Sequence, residues 1–503
     1  MSPVPAVEAR PEFRRRNPPG DDAVPSPDSA VPSPDSSPDS SSSASSRRTL
    51  GVTSLALLTY YAVSGGPFGI EPAVAAGGPL AAIACFAIMP LFWSVPEALI
   101  TAELSSAYPE ASGYVAWVEE AFGEKAGLVE GYLSWTSGVA DNAVYPVLFL
   151  QYLTSEALPF GRKMAFLTAA NAGLTYVSYR GLEVVGAVAS LVAAMELLPF
   201  AIMCVVGAFQ IDPERFFKSA DDMACLSSDG CVSARATDDW SAWSRSIAWA
   251  PLMNNIFWNI NYFDTASAFA GEVKDPGRTW PRAMFFAVLL VVLNYLLPLL
   301  VAIGATSSSR QDWQEGYLAA AAAHIGGPWL GAWTVFAAAL SNLALYQAEM
   351  SANAFTLMGM AQRGLVPAAF ARRSPYGTPT CALLASAGII VVMSFFPFME
   401  IVEVLNLLYC FALALEFAAF LQLRQTKPHV PRPYRIPLNT CGCVLMLLPA
   451  NVLLVVMIGL ASRTSHAICG SVLVAGVLLY RFQHYGRRRG WWTFRESGED
   501  KAR

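Results

Sequence analysis

The stretch YYAVSGGPFGIEPAVAAGGP, residues 60–79, interrupts an apolar segment that is long enough to cross a lipid bilayer. Between Ser64 and Gly69 it contains three glycines and a proline, which are poor helix formers, and Pro67 also removes a hydrogen-bond donor. Glycine can also serve close helix packing, but packing requires small residues on one face and no proline among them. The stretch therefore predicts a helix broken at mid-membrane, where free backbone groups can meet a ligand.

The rest of the chain is a series of apolar blocks separated by short polar links. Its 503 residues are 54% hydrophobic and 14% charged. Continuously apolar blocks are typical of helices, because the strands of a membrane barrel alternate. With about 20 residues needed for each span, we count about twelve blocks. They are 51–75, 79–101, 127–153, 164–180, 184–208, 247–271, 281–305, 329–360, 379–398, 400–423, 440–461 and 466–483. The sequence predicts an all-α polytopic membrane protein.

The two ends of the chain are polar. Residues 1–48 include AVPSPDSAVPSPDSSPDSSSSASS, a Ser/Pro/Asp-rich composition that indicates a disordered head. Residues 49–484 are predicted to form the transmembrane domain and residues 485–503 a short tail. An even number of crossings places both termini on one side, together with the links richest in Arg and Lys. The positive-inside rule makes that side cytosolic.

Cysteines and glycine motifs limit the possible functions. Cys225 and Cys231 share the long link 209–246, which this topology places outside, and either a disulfide or two free thiols fits the sequence. No Cys/His spacing indicates a metal site, and no glycine-rich nucleotide motif supports ATP-driven pumping. We therefore expect no cofactor and no nucleic-acid partner.

Acidic residues recur inside the apolar blocks, whereas Lys and Arg are almost absent from the middle of the spans. A buried acid without a basic partner can remain protonated, or it can bind a cation that comes from outside. Any one of these acids could instead hydrogen-bond a neighbouring helix, but the whole set indicates movement of positive charge. The acids are Glu97, Glu103, Asp141, Glu196, Asp264, Glu349, Glu403 and Glu416.

The sixth block is interrupted by polar residues instead of glycine or proline. In WNINYFDTAS, residues 258–267, the side chains of Asn259, Asn261 and Asp264 are too polar for a helix that faces lipid. Blocks one and six are the first helices of two five-helix halves. Interruptions at corresponding places in two halves are the best sequence indication of a transporter's binding site.

Several of these strings resemble the amino acid–polyamine–organocation superfamily over most of residues 50–480. FAGEVKDPGRTWPRA, AELSSAYPEASGYVAWVEEAFG and the glycine-rich break carry this resemblance. Within the superfamily, SGGPFGIEPAV, PEALITAELSSAYPEASGYVAWVEEAFG and EVLNLLYCFALALEFAAF are similar to the plant polyamine uptake transporters, which are described as polyamine–proton symporters that also accept paraquat. The resemblance implies a five-plus-five inverted repeat with broken helices 1 and 6, two further helices and no enzymatic activity. It also implies a place in the plasma membrane or an internal membrane.

The resemblance also implies roles for single residues. Related amino-acid carriers commonly have Gly-Ser-Gly in the first break to hold a carboxylate, and Gly65-Gly66-Pro67 here suits a substrate without one. Trp258 matches the aromatic that covers the substrate, and a tryptophan face attracts an ammonium by about 0.5–2 kcal/mol. The expected substrate-binding residues are Asp264, Trp258, Glu71, Asp141, Asn261, Tyr145, Gly65 and Gly66. Glu196, with Glu97 as second choice, is expected to carry the coupling proton.

Two other functions compete with proton-coupled polyamine uptake. One is a carrier of cationic or neutral amino acids with the same fold, and the other is a nutrient receptor that signals without transport. The short head and tail argue against the receptor, because neither can hold a folded signalling domain. The link TSEALPFGRK between blocks three and four has no cysteine, so no disulfide-linked heavy chain is expected.

Overall fold

The first apolar block folds as two helical segments, and the second of them continues into block two across a kink at Gly78. The computed structural model describes residues 49–153, 159–217, 240–394 and 398–494, beginning with helices α1 (Val52–Val63) and α2 (Glu71–Phe92). Residues 64–70 between them are not helical, and Gly66 and Gly69 have φ values of 97° and 79°. Glycine alone adopts such angles without strain. The predicted break in block one is therefore confirmed.

The remaining helices follow the other blocks. In the first half they are α3 (Ser94–Ala107), α4 (Tyr114–Phe122), α5 (Glu124–Asn142), α6 (Val144–Leu153), α7 (Phe160–Tyr179) and α8 (Leu182–Gly207). After the link come α9 (Trp240–Ser246), α10 (Trp249–Ile260), a 3-10 helix (Phe263–Glu272), α11 (Pro276–Ala305), α12 (Tyr317–Gly326), α13 (Pro328–Gln362), α14 (Thr380–Met393), α15 (Phe398–Thr426), α16 (Thr440–Leu460) and α17 (Arg463–Arg488). The head, the segment with Cys225 and Cys231, and residues 495–503 lie outside the described ranges.

Seven helical segments in these ranges are long and apolar enough to cross a membrane. They are Glu71–Ala107, Leu191–Gln210, Pro276–Ala305, Pro328–Gln362, Ile401–Thr426, Thr440–Leu460 and Arg463–Arg488. The other predicted blocks are also helical, but they are split, shorter or more polar. Blocks one and six are split by their breaks, and block three divides into α5 and α6. The prediction of an all-α polytopic membrane protein is confirmed.

The two halves of the domain have the same order of elements. Each half begins with a broken helix and continues through four further spans, and α16 and α17 follow as the two additional helices. Because five is odd, the second half starts on the opposite side of the membrane, which makes the repeat inverted. α1 packs against α11 and α13, and the 3-10 helix packs against α1, α3 and α13. Both breaks are therefore enclosed by spans of both halves.

One of the acids predicted to lack a basic partner has one. Glu103, at the end of α3, bonds Arg424 of α15 through two contacts of 3.0 and 2.5 Å, and Arg432 lies 3.3 Å away. The side chains of Glu103 and Arg424 are 0% and 1% exposed. The expectation that acids of the spans are unpaired is thus wrong for Glu103, because its partner comes from the end of a span far along the chain.

We expect Arg424→Gln to lower the stability of the folded protein strongly. Removing one partner of a buried ion pair leaves an uncompensated charge, which typically costs about 3–5 kcal/mol. The measurement is the apparent melting temperature of the purified protein in detergent. Lys427→Gln is the control, since Lys427 bonds Glu120 in a partly exposed pair that is worth about 0–1 kcal/mol. Equal shifts in the two variants would contradict a structural role for the buried pair.

Candidate functional site

The break in block six is built around a strained tyrosine. Helix α10 ends at Ile260, Asn261 is extended, and Tyr262 has a φ of 72° in the left-handed region. A left-handed conformation of a non-glycine residue costs on the order of 1–3 kcal/mol and is frequent at functional sites. The hydroxyl oxygen of Tyr409 accepts the freed amide N–H of Tyr262 at 3.0 Å. The break predicted from the polar residues is confirmed.

A chamber with about 40 Å³ of water-accessible volume lies between the two breaks, on the side of the link 306–327. We call it the outer chamber. Ser64, Gly65 and Gly69 contribute from the first break, and Trp258 and Asn259 contribute from the end of α10. Its acidic lining residues are Asp141, Glu315 and Glu349. Glu315 lies in the link outside the spans, and the residue is exposed.

A second, smaller chamber with about 10 Å³ of water-accessible volume adjoins the first on the side of the link that holds α4. We call it the inner chamber, and Asp264, Tyr409 and Asn353 are among its lining residues. Four residues line both chambers, namely Ala62, Asp141, Tyr262 and Glu349. Among the residues that the structure describes, no Lys, Arg or His lines either chamber. The pair of chambers is therefore an acidic environment without an internal counter-charge.

Asp141 and Glu349 carry the acidic charge where the chambers meet. Their relative exposures are 2% and 5%. The indole N–H of Trp258 donates to Asp141 Oδ1 at 3.2 Å, and the Tyr145 hydroxyl donates to Glu349 Oε1. Glu349 Oε2 has no hydrogen-bond partner. Trp258, Tyr145 and Asp141, three of the expected substrate-binding residues, thus lie together, with Glu349 as an additional carboxylate.

Asp264 lies on the inner side and shares its partners with Glu97. The Tyr409 hydroxyl contacts both Asp264 Oδ1 and Glu97 Oε1, the latter at 3.0 Å, and the Asp264 amide donates to Glu97 Oε1 at 3.2 Å. A hydroxyl has one proton to donate, so both contacts can be hydrogen bonds only if one carboxyl is protonated. The second oxygen of each acid has no partner. The inner site therefore has a place for a proton or for an external cation.

The acidic cluster also includes Glu130, which is not among the acids that the sequence analysis singles out. Glu416 lies near Asp264 and Glu130, and Ser134 donates to Glu130 Oε1 at 2.7 Å. The position of Glu130 near the start of block three does not by itself indicate a site. Its signal is a spacing: Glu130, Ser134, Ser137 and Asp141 fall on one face of a helix that is otherwise largely apolar.

Glu196 lies behind the first break, outside the lining of both chambers. The hydroxyls of Tyr60 and Tyr61 donate to its two oxygens at 3.3 and 2.9 Å, and the residue is 0% exposed. A Cβ at Gly66 would stand 2.4 Å from Glu196 Oε1, so a side chain there would displace the carboxyl. The carboxyl is therefore in direct contact with the backbone of the break.

Three of the predicted binding residues do not line the chambers. Glu71 is fully buried and accepts the Gly316 amide at 3.2 Å, at the start of α12. Asn261 is fully buried, and neither its oxygen nor its nitrogen has a partner. Gly66 packs against Glu196 as described, whereas its neighbour Gly65 does line the outer chamber.

The sequence predicts a cationic amine as substrate, and for such a substrate we expect Trp258→Ala to weaken binding more than Trp258→Phe does. Phenylalanine keeps an aromatic face for an ammonium and most of the buried area, although both variants lose the N–H that bonds Asp141. The measurement is the concentration of unlabelled spermidine that halves the uptake of labelled spermidine. Equal losses would show that Trp258 acts through its bond to Asp141 or through the volume of the indole.

Two helices interrupted at matching places around buried polar chambers define a membrane transporter of the inverted-repeat class. The amino acid permease family model matches residues 50–478, and the chain belongs to this family.

The chain is 44% identical over 446 residues to a probable polyamine transporter of Arabidopsis thaliana, covering 88% of each chain. It is 43% identical to the polyamine transporter PUT1 of Oryza sativa subsp. japonica, over 90% of this chain and 81% of that one. The identity to the polyamine transporter RMV1 of Arabidopsis thaliana is 40%, over 89% of this chain and 87% of the relative. The resemblance to plant polyamine transporters is confirmed, and the chain is a transporter and not an enzyme.

Proposed function

We propose that this transporter imports polyamines together with protons. The observation that carries the proposal is the acidic lining: Asp141, Glu349 and Asp264 face the chambers, and no basic residue described in the structure lines them. A charge-assisted bond between an ammonium and a carboxylate satisfies both groups once they leave water. The names of the relatives in rice and Arabidopsis support the same substrate class.

The acidic lining also argues against the competing amino-acid carrier. An amino acid brings a carboxylate, which would enter chambers that already hold three acids near the meeting point of the breaks. Among the described residues, no Lys, Arg or His lines the chambers to pair with that carboxylate. A polyamine carries no negative group and is favoured by the same charges, and paraquat, a dication, fits for the same reason.

Coupling of substrate transport to proton transport requires a site that gains and loses a proton and that is separate from the substrate-binding site. Glu196 is proposed for this role because it is buried, has no basic partner, and contacts the break that binds the substrate. Its burial favours the uncharged, protonated form. Protonation of Glu196 can therefore change the conformation of the first break, while the amine binds at other carboxylates. Glu97 is the alternative, since it contacts Asp264 directly.

The proposed orientation assigns the two chambers to the two sides of the membrane. With both termini cytosolic, the outer chamber faces the outside and the inner chamber faces the cytosol. Residues 1–48 and 485–503 are then cytosolic extensions of the domain 49–484. A plasma-membrane location would make uptake from the medium the physiological direction. We propose that the protein works without a disulfide-linked heavy chain.

The test is uptake of labelled spermidine and labelled arginine into cells that lack both transport activities. We expect spermidine uptake that rises with external acidity and falls when a proton ionophore is added, and little arginine uptake. Cells with the empty vector give the background, and surface labelling gives the amount of protein. Arginine uptake in place of spermidine would favour the amino-acid carrier. Binding of either compound without uptake would favour a receptor.

A further inference from the structure

Two carboxylate pairs lie at different depths of the chambers. The outer pair, Asp141 and Glu349, lines both chambers where they meet. The inner pair consists of Asp264, which lines only the inner chamber, and Glu97, which lies behind Asp264 and shares Tyr409 with it. At least one oxygen of Glu349, Asp264 and Glu97 has no hydrogen-bond partner. Buried carboxylate oxygens without donors are costly, so each pair favours a cationic ligand.

Tyr262 stands between the two pairs. It lines both chambers, its ring packs on that of Tyr409 with a centroid distance of 4.2 Å, and its hydroxyl lies 3.5 Å from that of Ser137. The left-handed backbone at this residue fixes where the ring lies. A ligand that reaches both pairs must therefore place apolar length beside an aromatic ring and a charge at each end.

We propose that the substrate is held at two ammonium subsites, one on each side of Tyr262, and that Glu349 is a specificity-determining residue of the outer one. This inference rests on the proposed function and extends it: the distance between the two subsites sets the length of the amines that bind well. A monoamine neutralises one pair and leaves the other without a counter-charge. A diamine of sufficient length neutralises both, and its methylenes cover the tyrosine ring.

The alternative role for Glu349 is structural, as the acceptor for Tyr145. The two roles differ in what Tyr145→Phe does. If Glu349 served only to hold the tyrosine, removing the hydroxyl would have the same effect as removing the charge. If Glu349 binds ammonium, Tyr145→Phe keeps the carboxylate and keeps the preference for diamines.

The experiment measures inhibition of labelled spermidine uptake by propylamine, putrescine, cadaverine and 1,8-diaminooctane. In the wild type we expect the diamines to inhibit at lower concentration than propylamine. In Glu349→Gln this advantage should fall by about tenfold or more, because the outer ammonium of a diamine loses the Glu349 carboxylate. Inhibition by propylamine should change little, because a monoamine can still bind at the inner pair. Glu403→Gln is the control, since Glu403 accepts the Ser462 amide at a helix end and lines neither chamber.

The outcomes separate the subsites from the function on which they rest. An unchanged diamine advantage in Glu349→Gln, an equal loss for monoamine and diamine, or the same loss in Tyr145→Phe would overturn the outer subsite. If Glu349→Gln does not reach the cell surface, Asp141→Asn replaces it with the same expectation. A wild type that is thermally stabilised by putrescine in detergent, yet takes up no spermidine, would contradict the proposed uptake and leave the subsites standing.

Discussion

Replacing Asp264 with asparagine should abolish polyamine uptake while leaving the protein folded and in the membrane. Asparagine has almost the same shape and can still accept a bond from Tyr409, so the local structure should be kept. It cannot neutralise an ammonium, and truncating one partner of a buried charge pair costs about 2–5 kcal/mol, or roughly 30-fold to several thousandfold in affinity. The loss should therefore appear as affinity for spermidine, measured by competition, and not as surface abundance.

Asp275→Asn is the matched control for this experiment. It is the same chemical change eleven residues further on, at an exposed position in the link after the 3-10 helix. Asp275 has a φ of 41°, and asparagine tolerates the left-handed region as well as aspartate does. We expect its uptake to match the wild type. An Asp264→Asn variant with unchanged apparent affinity for spermidine would remove Asp264 from the site.

The positions of the two breaks were predictable because their signals are local. In block one, the glycines and Pro67 are incompatible with a continuous helix whatever surrounds them. In block six, three polar side chains close together are incompatible with a lipid-facing helix. Both signals depend only on the chemistry of neighbouring residues, and both breaks are where the sequence predicts them.

The partners of the acids were not predictable, because they come from distant parts of the chain. Glu97 and Glu103 lie on the same helix, and both are buried. Glu103 meets Arg424 and is a structural ion pair, whereas Glu97 meets Asp264 and Tyr409. Nothing within α3 distinguishes the two roles, since packing against α15 and the 3-10 helix decides them.

The same reason explains why Glu71, an expected binding residue, lines neither chamber, whereas Glu349, which was not expected to bind substrate, lines both. Glu71 is adjacent to the first break in sequence, but helix α2 directs its carboxyl to the Gly316 amide, beneath α12. Glu349 is far from either break in sequence, yet α13 packs beside α1 and brings it to the point where the chambers meet. Proximity along the chain is a weak guide to a site formed by several packed spans.

Replacing Glu196 with glutamine should separate polyamine movement from proton movement. Glutamine imitates the protonated acid, because it is neutral and its oxygen can still accept the bond from Tyr61. It also keeps the volume that lies against Gly66, so the break should retain its shape. The side chain can no longer gain a proton outside and release it inside. We therefore expect a transporter that exchanges spermidine across the membrane but does not concentrate it.

Two measurements on protein reconstituted into vesicles test this separation. The first is counterflow, in which labelled spermidine exchanges against unlabelled spermidine, and it should be close to that of the wild type. The second is accumulation driven by an imposed pH gradient, acidic outside, and it should fall to the level reached without a gradient. Tyr61→Phe is an informative companion, because it removes a donor to the carboxylate without removing the acid, and some gradient-driven accumulation should remain. If Glu196→Gln still accumulates spermidine under the gradient, the proton is carried elsewhere, and Glu97, which shares Tyr409 with Asp264, becomes the residue to test.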